Sequence, residues 1–374
     1  MKNKTFKVLG LMSGTSMDGL DCCLCDLYID NNYNFDYKII DWNTFPYESS
    51  LIDQIKMNIT NPLQTHSLND KMGKIFCDLV IDFLKGRKID LIGSHGQTIL
   101  HIDKKFTLQV GNPKYLHEKI NVPIVYNFRE KDIINGGNGA PLMPFLDWLL
   151  FKNSKIDTYT LNIGGISNLC KISYKINQHD VLGFDTGPGM ALIDEFVKKI
   201  WNESIDYNGK YSSDGKIITK LENDLLLHPF IISKPPKSTG RNEFGTKMIE
   251  EILQKYSYLK NVDILRTLVS FTAKSIWINL KKYLKFSRRA SVIYINGGGF
   301  HHPILMKDLK KYIKISMFED LQNLGIHSDN KESLLIATLA LSRYLNIPSN
   351  MKNVTGSKGD ICLGNILIGG KIYE

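Results

Sequence analysis

Four glycine-rich stretches each follow an apolar or β-branched run: MSGTSMDG at 12–19, IGGISN at 163–168, FDTGPG at 184–189 and INGGGFHHP at 295–303. Glycine lets backbone N–H groups approach phosphate oxygens with no Cβ in the way, and Ser13, Thr15 and Ser16 add hydroxyl donors. Two carboxylates accompany these turns. Asp18 offers magnesium a hard oxygen ligand through water, while Asp18-Gly19 is equally a hairpin-turn dipeptide. Asp185 ends an expected strand ahead of Gly187-Pro188-Gly189 and a helix, so it either faces a cleft edge or caps that helix. Ser94, His95 and Gln97 follow an expected strand over 89–93 and supply a hydroxyl, an imidazole and an amide that can read a polar ring, although a lone histidine is more often a core residue. Arg129 and Arg241 carry the guanidinium fork that pairs with a carboxylate; an ordinary surface ion pair is the other reading of Arg241.

Several chemistries drop out. No Gly-x4-Gly-Lys-Ser/Thr loop, complete Gly-x-Gly-x-x-Gly, His-Arg-Asp or Asp-Phe-Gly occurs, which excludes the P-loop, dinucleotide and protein-kinase readings. His301 and His302 are adjacent rather than helix-spaced and have no cysteine or carboxylate at ligand spacing, against a metal-dependent hydrolase. The six cysteines form no Cys-x-x-Cys pair and read as reduced structural thiols.

The elements that must position these residues are strands alternating with helices. An antiparallel start is expected at 6–11, 20–29 and 37–42, then a helix through Met72, Phe76, Val80 and Phe83, and the buried strand 89–93. The theme recurs from Tyr159 as strand TYTLNI, turn GGISN and strand LCKIS, which resembles an internal duplication. A long amphipathic helix spans about 265–280, strand SVIYIN runs through three glycines into a helix, and a final helix over 331–344 is apolar nearly all round. At 374 residues, 43% of them hydrophobic, the chain has enough for two cores. Lobes are expected over 1–135 with 350–374, and over 136–349.

The net charge of +9 is scattered, which favours acidic small molecules over nucleic acid. Residues 1–14 reach glycine and serine before a signal-peptide apolar region forms, and no segment approaches the ~20 apolar residues of a membrane span. A cytoplasmic protein is expected.

Two strand-turn-strand phosphate hairpins, one per half, plus a strand-GGG-helix element look like the actin, sugar kinase and heat-shock ATPase superfold. That superfold is α/β and ribonuclease H-like, with duplicated lobes around a central ATP cleft. Nine ordered blocks sharpen the resemblance to the anhydro-N-acetylmuramic acid kinases: GLMSGTSMDGLD (10–21), GSHGQTILH (93–101), FTLQVGNP (106–113), NFREKDIINGGNGAPLMP (127–144), LNIGGISNL (161–169), GFDTGPGMALIDEF (183–196), HPFIISKPPKSTGRNEFG (228–245), NGGGFHHPILM (296–306) and VTGSKGDICLGNI (354–366). The resemblance implies that ATP phosphorylates O6 of 1,6-anhydro-N-acetylmuramic acid while water opens the anhydro bridge, in cell-wall recycling, and it suggests a homodimer.

Such a reaction needs a base to take a proton from the attacking water. The GFDTGPG match assigns that role to Asp185. Gly14, Thr15, Ser16, Met17, Asp18, Gly19, Leu20 and Asp21 are implied at the ATP phosphates, with Gly164, Gly165, Gly297, Gly298 and Gly299 completing the nucleotide site and Asp18 serving Mg2+. The SHGQT block implies that Ser94, His95 and Gln97 meet the sugar, with Arg129 at its carboxylate. Glu332 resembles a substrate-site glutamate, although Asp329-x-x-Glu332 also fits a capping box. Asn138, Met190 and His302 depart from the usual Gln, Asn and Asn. The alternatives are a kinase for another anhydro-sugar or small carboxylic acid, and a non-catalytic ATP switch.

Overall fold

The computed structural model describes residues 4–14, 17, 19–62, 65–286, 291–314 and 318–374. Its strands are β1 Phe6–Ser13, β2 Gly19–Ile29, β3 Phe35–Pro46, β4 Leu91–Ile102, β5 Phe106–Val110, β6 Ile124–Tyr126, β7 Asp157–Ile163, β8 Ile166–Ile172, β9 Leu182–Pro188, β10 Ser291–Asn296, β11 Phe318–Asp320, β12 Asn365–Ile368 and β13 Lys371–Tyr373. The chain separates into one unit of Met1–Leu150 with Gly325–Glu374 and another of Phe151–Leu324. The boundaries thus lie at 150/151 and 324/325, where sequence reading expects 135/136 and 349/350, so the helices Met143–Phe151 and Ser328–Tyr344 fall, all but Phe151, in the first unit rather than the second.

In the first unit the sheet order is β13-β12-β6-β4-β1-β2-β3, with β5 on β4. Strands β1, β2 and β3 form an antiparallel meander, and β4 and β6 continue parallel to β1. Central β1 is buried on both faces, whereas β3 alternates between half-buried and exposed positions, as an edge strand with one wet face does. The helix Ser328–Tyr344 lies across β1, β2 and β4 and is buried nearly all round, as its sequence predicts.

Glycines in two strands let that helix approach. A Cβ at Gly10 would stand 1.9 Å from Ser333 O, and one at Gly93 would stand 2.6 Å from Ile336 O. Lys331 of this helix is 1% exposed and pairs at 2.8 Å with Asp147 on the helix Met143–Phe151. The capping box expected at Asp329 and Glu332 is not formed by those residues. The helix starts at Ser328, and Asn330 Oδ1 accepts the His327 N–H at 3.1 Å.

The second unit repeats the pattern. Its order is β9-β8-β7-β10-β11, with β7, β8 and β9 antiparallel and β10 and β11 parallel to β7. The duplication expected from the two glycine hairpins is therefore present as topology, with β7 in the place of β1, β8 of β2, β9 of β3 and β10 of β4. The helix Asn261–Tyr283 packs against β9 and the helices Ala191–Trp201 and Pro303–Ile313. Tyr159, Leu161, Phe184, Phe196 and Phe271 fill the core between them. Fully burying side chains of this size contributes about 1.5–3 kcal/mol each. Among the described residues no helix is long and apolar enough to cross a membrane, and the six cysteines are free.

Candidate active site

In the first unit, β1 ends at Ser13 and β2 starts at Gly19, so the turn between them is the first expected phosphate hairpin. Gly14, Met17, Gly19, Leu20 and Asp21 are placed; Thr15, Ser16 and Asp18 lie outside the described residues. Met17 takes a left-handed φ of 59°, a strained choice for a non-glycine residue that clusters at ligand clamps. The turn is braced from β4. Ser13 Oγ donates to Gln97 Oε1 at 2.7 Å, and Gln97 Nε2 donates to Gly14 O at 3.0 Å and Thr98 O at 3.2 Å. Gln97 is fully buried, so its amide fixes the hairpin's path. Asp21 Oδ1 accepts from Thr44 Oγ1 at 2.5 Å across the β2–β3 ladder.

Sequence reading ends the SHGQT strand at residue 93, but β4 runs on to Ile102 because β1, β6 and β5 all pair with it. Ser94, His95 and Gln97 are strand residues, each buried. Ser94 Oγ finds no hydrogen-bond partner among the described residues. Both ring nitrogens of His95 are engaged: Nδ1 lies 2.8 Å from Gly96 O, and Nε2 accepts from Arg129 Nε at 2.9 Å. Arg129 Nη1 also donates to Gly139 O at 2.9 Å. Burial pulls the Arg129 pKa down to about 10, against the carboxylates of Glu332 and Asp132, which favour its charge. The fold thus gathers His95, Arg129 and Glu332 from three distant blocks.

Asp132 was not singled out in the sequence. It is wholly buried, accepting from Gly139 N at 2.7 Å and Thr355 Oγ1 at 2.8 Å. A Cβ at Gly137 would meet its Oδ2 at 2.2 Å, which is why a glycine must stand there. This carboxylate ties the GGNG turn to the VTGSKGD block, and Asn138 N–H donates to Thr355 O at 2.8 Å.

In the second unit three of the four glycine turns meet at the ends of β7 and β10. The carbonyls of Gly164 and Gly165 accept from Met190 and Gly189 at 2.8 Å, so the β7–β8 hairpin clasps the turn after β9. A Cβ at Gly189 would lie 2.2 Å from Gly164 O, and Cβ atoms at Gly297 and Gly299 would strike Ile163 at 2.7 and 2.3 Å. Gly298 faces open space, and Gly165 faces the Arg241 guanidinium at 3.2 Å.

Asp185 lies within β9, which extends to Pro188. The helix after it starts at Ala191 with Met190 at its N-cap, so capping is not the role of Asp185. Its Oδ2 accepts from Thr239 N at 2.9 Å and Ser238 Oγ at 3.1 Å, and its own N–H donates to Lys237 O at 3.1 Å. Lys237 is buried, with Nζ on the carbonyls of Phe230 and Ile231 at 3.0 and 3.3 Å. Burial and the Lys282 cation draw its pKa down to about 8, against the pull of Asp185 and Glu243. This grip was missed in the sequence; its one local signal is the KSTG run after two prolines.

Asp194 was also missed. Burial pushes its carboxyl up to about 7, with Arg241 and His302 pulling the other way, and its Oδ1 has no hydrogen-bond partner among the described residues. His302 caps the helix Pro303–Ile313, its Nδ1 accepting from Leu305 N at 3.2 Å while Nε2 lies 3.1 Å from Asp206 Oδ2. Burial would raise the Asp206 carboxyl, but hydrogen bonds from His302, Ser212 and the Tyr211 amide hold it below its ordinary value. An asparagine oxygen can stand where Nδ1 stands and keep the cap on Leu305 N, but its shorter side chain does not reach the Nε2 position, so the contact to Asp206 belongs to the histidine.

The family model described as anhydro-N-acetylmuramic acid kinase matches residues 6–369. The anhydro-N-acetylmuramic acid kinase of Clostridioides difficile (strain 630) is 35% identical over 373 residues, covering 96% of this chain and 97% of that protein. That of Bacillus cereus (strain G9842) is 33% identical over 377 residues, covering 96% and 98%. Among solved structures, a ROK family glucokinase from Streptomyces griseus in complex with glucose and AMPPNP covers 90% of this chain and 99% of its own at 10% identity and a TM-score of 0.41, too loose a likeness to argue from. With a match that runs through both units and takes in Asp185, Arg129 and Glu332, the chain belongs to the anhydro-N-acetylmuramic acid kinase family.

Proposed function

We propose that this chain is an ATP-dependent kinase that opens the 1,6-anhydro bridge of 1,6-anhydro-N-acetylmuramic acid and phosphorylates O6, giving N-acetylmuramic acid 6-phosphate and ADP for cell-wall recycling. The observation that carries the reading is Asp185, a carboxylate gripped through its backbone and through Oδ2 within a chain-long family match. Two donors on one oxygen favour the ionised form, the form a general base requires. Asp185 takes a proton from water as the water oxygen bonds to C1. The C1–O6 bond breaks, O6 bonds to the γ-phosphorus, and the bond from that phosphorus to the β–γ bridging oxygen breaks to release ADP.

Gly14, Met17, Gly19, Leu20 and Asp21 in the first unit, and Gly164, Gly165 and Gly297–Gly299 in the second, serve ATP in this reading, as do Thr15, Ser16 and Asp18. Arg241, against Gly165, suits phosphate. Ser94 Oγ, buried with no protein partner described, suits a sugar hydroxyl. Arg129 and Glu332 serve the sugar, the guanidinium at its carboxylate. Magnesium keeps several waters and uses one or two carboxylates beside the nucleotide phosphates. The first hairpin offers Asp18 and Asp21 for it, and the ion would neutralise charge developing on the phosphates. A cytoplasmic homodimer is part of the reading, carried by the family resemblance.

The test is ADP release from ATP over a panel of anhydro-sugars and small carboxylic acids. Turnover with 1,6-anhydro-N-acetylmuramic acid far above the others is expected. A preference for another acceptor, or ATP binding with no acceptor-dependent turnover, contradicts it.

A further inference from the structure

His95 lies where the sequence suggests a sugar-reading side chain, yet the protein itself occupies its ring. The residue is 3% exposed. A carbonyl oxygen only accepts and a guanidinium N–H only donates, so Gly96 O on one side and Arg129 Nε on the other fix the tautomer: Nδ1 carries the proton and Nε2 offers a lone pair. A second proton on Nε2 would point at the Arg129 cation. Burial, then Arg129 and His101, hold the ring's pKa down to about 3, against the pull of Gly96 O. The imidazole therefore stays neutral and has no nitrogen left for a sugar hydroxyl.

What the ring does hold is the guanidinium. Arg129 is anchored at Nε by His95 and at Nη1 by Gly139 O, and both acceptors are uncharged. Such contacts set the direction of the fork without cancelling its charge, which suits a side chain meant for an incoming anion. The Gly139 anchor is itself built, since Asp132 grips the Gly139 N–H at 2.7 Å and Thr355 grips Asp132.

We propose that His95 is a positioning residue, a neutral Nδ1–H imidazole that orients Arg129 for the carboxylate of the sugar substrate. The assignment rests on the reading of Arg129 given above. The experiment compares KM for 1,6-anhydro-N-acetylmuramic acid with KM for 1,6-anhydro-N-acetylglucosamine, which lacks the lactyl carboxylate, in wild type, His95→Phe, His95→Gln, Arg129→Ala and His95→Phe/Arg129→Ala. His95→Phe is expected to raise KM for the acidic sugar about tenfold or more, the worth of a hydrogen bond to a charged group, leaving KM for ATP and for the carboxylate-free sugar unchanged. His95→Gln, which keeps an acceptor near the Nε2 position, recovers most of the loss. The double variant is no worse than Arg129→Ala. Nitrogen NMR of the wild-type ring shows the Nδ1–H tautomer with no titration between about pH 5 and 8, where a free imidazole titrates.

An equal KM rise on both sugars, additive losses in the double variant, or a ring that titrates in that window overturns the proposal by itself. If Arg129→Ala leaves the preference for the carboxylated sugar intact, the reading of Arg129 fails, and the proposal fails with it. The NMR arm needs only the wild-type protein, so a variant that does not fold leaves a decisive measurement.

Discussion

Thr239 donates its backbone N–H to Asp185 Oδ2 at 2.9 Å while the neighbouring Lys237 carbonyl accepts the Asp185 N–H at 3.1 Å, so consecutive residues of one loop hold both the backbone and the side chain of a single aspartate. Asp185→Asn keeps that shape and removes the proton acceptor. We expect turnover to fall by about 10²–10⁴, the usual worth of a general base, with the Kd for ATP nearly unchanged. Ser238→Ala removes one of the two donors to Asp185 Oδ2, so kcat should fall while the Kd for ATP stays nearly unchanged. Wild-type kcat in Ser238→Ala, or normal turnover in Asp185→Asn, contradicts the assignment.

His302 gives a sharper substitution test than its departure from the family pattern suggests. His302→Asn should retain part of the stability, because its amide oxygen can take the place of Nδ1 on Leu305 N while the shorter side chain gives up the contact to Asp206. His302→Ala loses the cap and leaves Asp206 short of a donor, at a cost of about 2–4 kcal/mol. Urea denaturation of the two variants decides it, and equal losses would show that the contacts matter less than the ring.

Two buried groups give the stability curve opposite slopes. His95 stays neutral in the fold down to about 3, below its ordinary 6.5. As pH falls through that window the unfolded chain takes up a proton the folded chain refuses, so stability falls by up to about 1.4 kcal/mol per pH unit. Asp194 is the reverse: its folded pKa of about 7 lies above the ordinary 3.8, so its contribution is present at low pH and is lost as pH rises towards 7. His95→Gln should flatten the acid side of the curve. Asp194→Asn should raise Tm at pH 8 by a few degrees, at about 2–4 °C for each kcal/mol, and change little at pH 4. Parallel curves in the variants and the wild type contradict both signs.

The Lys331–Asp147 pair joins the helix that carries Glu332 to the helix Met143–Phe151. Lys331→Met leaves the Asp147 carboxylate buried without its cation and should cost about 3–5 kcal/mol, whereas Lys331→Met/Asp147→Leu should recover most of it. Denaturation midpoints for the single and double variants check this. A double variant as weak as the single one would show that the charges contribute more than their burial costs.

What the sequence discloses here follows from range. The glycine turns, the strands around them and the duplication are local patterns, and β1 to β3, β7 and β8 lie where the alternation of residues puts them. The course of β4 is less apparent, because Gly96 at φ 76° and the polar side chains of SHGQT look like a turn until three neighbouring strands pair with them. The partners of Asp185 lie more than 50 residues away, and Thr355 reaches Asp132 across most of the chain. No periodicity encodes such contacts. Asp194, the first of two adjacent acids in an apolar helical run, looks solvent-facing until the charges of Arg241, His302 and Asp206 act on it.

The central claim is that water opening the sugar and phosphate arriving at O6 are one reaction. The most direct measurement incubates the purified protein with ATP, magnesium and 1,6-anhydro-N-acetylmuramic acid in oxygen-18 water and weighs the product. The account predicts a sugar carrying one phosphate and one heavy oxygen, formed together with ADP and absent with Asp185→Asn. A phosphorylated sugar that keeps its anhydro bridge, or an opened sugar without phosphate, contradicts it.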